Sequence, residues 1–207
     1  MFERYACSRA KSSGVQGVWG RITAVHAETN TQGTAPRPNA FTAADVEAIV
    51  RQRGWLGAGA ADESTAAWMA DAAALLGPHC ESREAMGELL SRIFHYDAGR
   101  IAATVECHTV LVRKGARQVL RAFAHHLLDG AEVDSDRYKE VINAVKAGLP
   151  CRGRELFYTI RLALTGRAGE GELDRVILLM DRAARLPWAM PVKSARERIL
   201  EFCAAVD

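Results

Sequence analysis

Residues 148–180 read GLPCRGRELFYTIRLALTGRAGEGELDRVILLM, and this stretch indicates the fold of the chain more clearly than any other. It predicts two helices separated by a short glycine-containing loop. The first covers about residues 155–164 and ends at Gly166, because glycine readily adopts the left-handed conformation that follows a helix. The second has apolar side chains at positions i, i+3, i+4 and i+7, which is typical of one buried helix face. These side chains are Leu173, Val176, Ile177 and Met180.

The same helical periodicity extends in both directions from this stretch. Upstream, capping residues and apolar spacing predict helices over about residues 42–53, 62–76, 82–94, 97–112, 114–128 and 135–148. Downstream, Pro191 suits the first position of a last helix. Nine predicted helices joined by short loops favour an all-α fold of packed bundles. Residues 1–41 are rich in glycine and polar side chains, with one possible strand at residues 18–25, so an irregular arm is predicted there.

These patterns divide the chain into four parts. We predict an irregular N-terminal arm over residues 1–41, a first helical bundle over residues 42–134, and a second helical subdomain over residues 135–186. Residues 187–207 then form an extra C-terminal helix. Its apolar positions predict that it packs either on the bundle or on a second copy of the chain, since an exposed stripe of that size is uncommon on soluble monomers.

Composition excludes several classes of protein. The 207 residues are 49% hydrophobic and 25% charged, with a formal net charge of +2, so bulk charge indicates no particular partner. No apolar run approaches the roughly 18 residues that a membrane span needs, and the N-terminus does not resemble a secretory signal. Five scattered cysteines without a Cys-x-x-Cys pair argue against a disulfide scaffold, and they predict a reducing, cytoplasmic location.

The usual signs of catalysis are not found in the sequence. Gly14, Gly17 and Gly20 are not accompanied by the strand, helix and lysine of a phosphate-binding loop. Two His/Cys pairs, at residues 79–80 and 107–108, are adjacent in sequence, so on a helix their side chains point roughly 100° apart and suit a metal poorly. We therefore predict no catalytic residue, no metal site and no cofactor.

Local charge is more informative than total charge. Residues 137–167 contain seven basic side chains and only two acidic ones. If the chain contacts a polyanion, this basic window is the first candidate; the simpler alternative is a set of solvated helix faces. The seven basic residues are Arg137, Lys139, Lys146, Arg152, Arg154, Arg161 and Arg167.

Residues 148–180 also resemble the C-terminal, anticodon-binding region of bacterial glutamyl-tRNA synthetases. The likeness is an ordered series of short motifs rather than one signature, and it continues more weakly over residues 42–186. Thr159 stands where the family usually has proline, and residues 187–207 extend beyond its usual end. The motifs are Arg152-Gly153, Leu156-Phe157, Thr159-Ile160-Arg161, Ala163-Leu164-Thr165-Gly166 and Leu173.

The resemblance implies a module that recognises tRNA but lacks the catalytic domain of a synthetase. A class I synthetase needs a nucleotide-binding catalytic domain with characteristic His-Ile-Gly-His-like and Lys-Met-Ser-Lys-Ser-like sequences, and the 207 residues contain neither. We therefore expect a free-standing, non-enzymatic protein. Its expected partner is tRNA, glutamate tRNA first, with no DNA and no membrane.

The resemblance also implies the site residues. Tyr158, Arg161, Gly171 and Leu173 correspond to positions that face the anticodon in that family. In this expectation Arg161 donates to a base edge, while Tyr158 and Leu173 cover base faces. The phosphate contacts would come from three further residues, Arg152, Arg154 and Arg167.

Two functions remain open from the sequence. The first is tRNA binding, in trans to a separate catalytic chain. The second is a helical interaction scaffold that has lost RNA binding. It would recruit a protein through residues 1–41 or the final helix, or associate with a second copy of itself through residues 191–206. An exposed, continuous basic window would favour the first function, and a window whose side chains pair with carboxylates would favour the second.

Overall fold

Ten α-helices account for most of the computed structural model, which describes residues 39–130 and 132–207. A single 3-10 turn, Gly77–His79, follows the second helix, and no strand occurs within these two ranges, which confirms the all-α class. The predicted arm and its possible strand at residues 18–25 lie outside the described residues. The helices are α1 Ala43–Gln52, α2 Glu63–Leu76, α3 Arg83–Phe94, α4 Ala98–Ala102, α5 Val105–Leu111, α6 Ala116–Leu128, α7 Ser135–Gly148, α8 Gly153–Thr165, α9 Glu172–Ala183 and α10 Ala195–Val206.

Most helix starts follow from a capping side chain that is visible in the sequence. Asp62 and Ser82 accept hydrogen bonds from backbone N–H groups three residues later, at the starts of α2 and α3. Thr42 goes further and forms a reciprocal capping box with Asp45 at the start of α1. The Asp45 carboxylate accepts from the Thr42 backbone N–H at 2.9 Å and from the Thr42 hydroxyl at 2.7 Å, and it also pairs with Arg83.

The capping box predicts that the stability of the fold depends on pH through Asp45. Hydrogen bonds from the Thr42 side chain and backbone, together with Arg83, lower the pKa of Asp45 from 3.8 to about 2. A carboxyl group whose pKa is lowered by folding stabilises the fold above pH 3.8, and this contribution disappears as the pH falls through about 2. We expect an NMR titration midpoint near pH 2 for Asp45. Asp45→Asn should lower the melting temperature at pH 7 and have little effect near pH 2. A midpoint at 3.8 would contradict this account.

Two helix predictions were wrong in their boundaries. The helix predicted over residues 97–112 is two helices, α4 and α5, because Thr104 leaves the helical conformation and its hydroxyl caps the N–H of Cys107. The last helix does not begin at Pro191. It begins at Ala195, because Ser194 and Glu197 form a second capping box, while residues 187–194 run as an irregular segment.

One hydrophobic core is shared by residues from both predicted bundles and from the C-terminal segment. Helix α9 packs on α2, α3 and α8, and α6 packs on α7, α8 and α10. An aromatic cluster joins the ends of several helices: the ring centroids of Trp55 and Phe94 are 4.3 Å apart, and those of Phe94 and Trp188 are 4.9 Å apart. Trp188 belongs to the segment after α9, so this segment completes the core. The boundaries predicted at residues 134–135 and 186–187 remain predictions.

The apolar stripe of α10 is packed inside the chain. Ala195, Ile199 and Phe202 are fully buried against neighbouring helices, and Leu200, on another face, is exposed. Of the two arrangements that the sequence left open, the structure therefore has the one in which this helix packs on the bundle. None of the helices in the described ranges is both long enough and apolar enough to cross a bilayer.

Candidate nucleic-acid interface

Tyr158 stands at the centre of a small basic surface at the start of α8. Its ring has one guanidinium carbon, from Arg113, 5.6 Å from the centroid and another, from Arg154, 5.9 Å from it. Its hydroxyl donates to the Glu170 carboxylate at 2.8 Å, and this bond raises the pKa of Tyr158. An aromatic ring flanked by two arginines offers stacking and phosphate contacts within one small area.

Two separate segments of the chain build this surface. Gly115, with φ of +88°, precedes α6 and lies so close to Cys151 that a Cβ at this position would be 2.6 Å from the Cys151 sulfur. This approach places the residues before α6 beside the start of α8. We define the basic surface as Tyr158 with four cationic residues that have no carboxylate within ion-pair distance in the described part of the chain: Arg113, Lys114, Arg152 and Arg154.

The predicted basic window does not form one continuous face. Four of its seven cations pair with carboxylates: Arg137 with Glu140 at 2.9 Å, Lys139 with Asp136 at 3.3 Å, Arg161 with Asp174 at 2.7 Å, and Arg167 with Glu106 at 3.2 Å. Lys146 lies over the Phe157 ring, and Arg152 donates to the carbonyls of Leu149 and Cys151. The basic window therefore contains both paired and unpaired cations, and its unpaired arginines lie at the start of α8.

Arg161 forms a partly buried ion pair. Its side chain donates from Nε and Nη2 to the two carboxylate oxygens of Asp174, at 2.9 and 2.7 Å, and from Nη1 to the carbonyl of Gly169 at 2.7 Å. The residue is only 7% exposed, and Tyr138 donates a further hydrogen bond to Asp174. Burial alone would lower the pKa of Arg161, but the hydrogen bonds and charge of Asp174 outweigh it and raise the pKa.

Gly171 and Leu173 lie at the other end of the same loop. Gly171 is the exposed N-cap residue of α9, whereas Leu173 is 4% exposed and packs under Gly169. The four predicted anticodon-facing residues thus surround the loop between α8 and α9. Tyr158 and Gly171 are on its accessible side, and Arg161 and Leu173 support it from below. The base contacts predicted for these residues remain predictions.

Arg167 is placed apart from the Tyr158 surface. It leaves the loop toward Glu106 of α5, and it lines a different cleft together with Arg92. Arg113 and Lys114 were not predicted from the sequence, because nothing local shows that the segment before α6 meets the start of α8. The signal that existed was the unbalanced pair of charges beside Gly115, a glycine at a predicted helix start.

The His/Cys pairs do not form a metal site in the described residues. Cys80 and Cys107 are buried, whereas the adjacent His79 and His108 are exposed, so the two side chains of each pair diverge. For Cys107 and His108, which lie in α5, helical geometry accounts for the divergence. Within residues 39–130 and 132–207 no three metal-ligating side chains lie together.

Comparisons with known proteins identify the family to which the sequence belongs. No solved structure matches the chain significantly. The chain is 33% identical over 120 residues to a protein of Bacillus cytotoxicus named glutamate–tRNA ligase; the aligned part is 58% of this chain and 24% of that protein, so the chain spans about a quarter of the relative's length. Residues 42–184, more than half of the chain, match the family described as the anticodon binding domain. The chain therefore belongs to the anticodon binding domain family.

Proposed function

We propose that this chain binds tRNA through the basic surface around Tyr158, as a recognition module that does not itself join an amino acid to tRNA. The observation that supports the proposal most is the coincidence of that unpaired surface with the loop between α8 and α9, inside the segment that matches the family. Unstacked bases are recognised by aromatic and arginine faces, and phosphates are recognised by arginine forks.

The residues in and around the basic surface have different parts in the proposal. Tyr158 offers its ring to a base, and Arg154, Arg152 and Arg113 neutralise phosphates. The ion pair between Arg161 and Asp174 holds the loop against α8 by way of the Gly169 carbonyl. Arg161 in this role is a positioning residue, and a direct contact with a base would require the pair to open. Glu170 is a negative group beside the ring, where its bond to the Tyr158 hydroxyl occupies it.

Glutamate tRNA is the preferred partner in this proposal, because the aligned relative is named as a glutamate–tRNA ligase. The module would act in trans to a separate catalytic chain. The scaffold alternative is favoured by one observation, the pairing of four of the seven window cations with carboxylates. One tRNA-binding experiment distinguishes between the two functions.

Replacing Arg154 should weaken binding of all tRNAs alike. We expect Arg154→Gln to remove one phosphate contact, and so to reduce the slope of log affinity against log salt by about one unit. The measurement is a fluorescence titration of labelled glutamate tRNA and of total tRNA at several salt concentrations.

Lys139→Gln is the matched control for this experiment. It removes the same charge from an exposed residue of the window, but one that already pairs with Asp136 on α7. It should leave both the affinity and the salt slope unchanged. If the wild-type protein does not bind tRNA at low salt, or if the two variants behave identically, the scaffold function replaces tRNA binding.

A further inference from the structure

A second positively charged region lies in a cleft away from the Tyr158 surface. Of the residues predicted to contact tRNA, Arg167 alone lines this cleft. The cleft has a volume of about 680 Å³, within the range of small-molecule sites. It lies between the end of α3, the start of α4, the end of α8 and the segment before α10. Four cationic side chains line it, namely Arg92, Arg100, Arg167 and Lys193.

Arg92 is the unusual member of this group. It is half-buried, and its guanidinium has neither a hydrogen bond nor an ion pair with any described residue; only its backbone carbonyl is used, as an acceptor for Arg198. Burial, and then repulsion from Arg167, lower its pKa. Glu88 and Glu106 attract this guanidinium, but each forms its ion pair with another arginine, and their attraction does not outweigh the burial. A half-buried guanidinium with an arginine beside it and no anion in direct contact is unfavourable, which is the state expected of a binding site before its ligand arrives.

The acidic groups that face the cleft already have partners. Glu106 binds Arg167 and accepts from the backbone N–H of Ala168 at 2.8 Å, and Asp97 caps α4 by accepting from the N–H of Arg100 at 2.9 Å. Lys193 pairs with Glu201, outside the lining, at 2.7 Å. Counting Glu201 with its partner Lys193, four cations face three carboxylates, so the cleft keeps an excess of one positive charge, and Arg92 and Arg100 are its cations without an ion pair in the described residues.

Apolar side chains also line the cleft. Ile101 and Met190 line it together with Pro191. Met190, Pro191 and Lys193 lie beyond residue 184, where the match to the family ends. The cleft is therefore completed by a segment that the family match does not include.

We propose that this cleft binds a nucleotide, with its phosphate on the Arg92 and Arg167 guanidinium groups and its nucleoside against Ile101, Met190 and Pro191. Arginine forks match phosphate oxygens in pairs, and the charge excess together with apolar lining residues suits a ligand that has both a charged group and an apolar part. Arg100, which is exposed and has no side-chain partner among the described residues, can cover the base or add to the phosphate contact. The nucleotide is either free or part of an RNA strand, and the phosphate chemistry is the same in both cases. The proposal does not depend on tRNA binding at Tyr158.

The test uses the whole chain and calorimetric titration at low salt with three probes: AMP, adenosine and inorganic phosphate. We expect AMP to bind at least tenfold more tightly than either fragment. Arg92→Gln should weaken AMP binding at least tenfold, and Arg100→Gln should weaken it several-fold. Arg154→Gln, which removes a cation from the Tyr158 surface, should leave AMP binding unchanged and so separates this proposal from the tRNA proposal.

Thermal unfolding gives a second readout that a purely structural role of Arg92 would not produce. Because the unliganded guanidinium is unfavourable, Arg92→Gln should melt at the same temperature as wild type or a few degrees higher. AMP at a fixed concentration should then raise the melting temperature of wild type clearly more than that of this variant.

Competition with tRNA distinguishes the two sources of the nucleotide. If AMP displaces tRNA, the site takes a nucleotide of an RNA strand; if both bind together, it takes a free nucleotide. The proposal is overturned if AMP does not bind, if AMP and phosphate bind equally well, or if Arg92→Gln and Arg100→Gln both bind AMP like wild type.

Discussion

Replacing Arg198 by alanine should lower the free energy of unfolding by about 4 kcal/mol, among the largest effects of a single substitution. Arg198 is 0% exposed, on α10, and its guanidinium has no carboxylate within ion-pair distance in the described residues. Burial lowers its pKa to about 10, so it remains charged at neutral pH. The charge must therefore be stabilised by something other than an acid.

Backbone carbonyls at the ends of two helices provide that stabilisation. Arg198 donates to the carbonyls of Arg92 at 2.6 Å and of Ile93 in the last turn of α3, and to that of Leu164 at 2.9 Å in the last turn of α8. A fourth bond, at 3.0 Å, goes to Lys193. Carbonyls in the last turn of a helix have no intrahelical partner and carry partial negative charge, so a cation there satisfies both helices at once.

Alanine at this position would leave several buried carbonyls without a donor, and it would leave a cavity where the side chain had been. An unsatisfied buried acceptor costs about 1–3 kcal/mol, which is the reason for the large expected effect. The measurement is chemical denaturation followed by circular dichroism, with Arg121→Ala, an exposed arginine of α6, as the control. A loss below about 1 kcal/mol for Arg198→Ala would contradict the proposed role of the carbonyl contacts.

Arg198 also shows where prediction from the sequence ends. The apolar spacing around Ile199 and Phe202 correctly indicated one buried face for the last helix. A charged residue beside that face is expected to be solvated, and no local feature shows that two helix ends meet at this point. The side chain is buried because carbonyls from the ends of two distant helices, and one from Lys193 nearby in the sequence, converge on it, and that convergence exists only in the folded chain.

The helices whose ends are set by residues close in the sequence could be predicted. Capping side chains such as Thr42 and Ser82 and the left-handed Gly166 act within a few residues, so seven of the predicted helices match observed ones closely. Thr104 was missed because threonine also occurs within helices. It is a cap here because its backbone is extended between α4 and α5, which frees its hydroxyl to accept from the N–H of Cys107.

The candidate site was predictable in the same partial way. One turn of α8 separates Tyr158 from Arg161, so their common helix and neighbouring positions follow from spacing alone. The partner of Arg161 is Asp174, thirteen residues later in the sequence and across a loop. That pairing, and the approach of Arg113 to the Tyr158 ring, depend on how α8 packs against its neighbours, which spacing cannot supply.

The ion pair of Arg161 and Asp174 gives the second large effect. We expect Arg161→Ala and Asp174→Ala each to lower the free energy of unfolding by about 3 kcal/mol, because either change leaves a partly buried charge without its partner. In Asp174→Ala the Tyr138 hydroxyl also loses its acceptor. The double variant should lose clearly less than the sum of the two, with a coupling of about 2 kcal/mol, since it leaves no unpaired charge. Denaturant unfolding of the four proteins measures this cycle, and additive losses would contradict it.

The same variants decide how Arg161 serves tRNA binding. If the pair only positions the loop, Asp174→Ala should weaken tRNA binding as much as Arg161→Ala, and the ranking of different tRNAs should not change. If Arg161 instead contacts a base edge, as the resemblance implies, its loss should cost about 1–3 kcal/mol of binding and blunt discrimination among tRNAs, while Asp174→Ala keeps that discrimination. We expect the first result, because the Arg161 side chain already donates to two carboxylate oxygens and a carbonyl and is 7% exposed. Titrations with glutamate tRNA and a non-cognate tRNA, at a temperature where all variants are folded, separate the two roles.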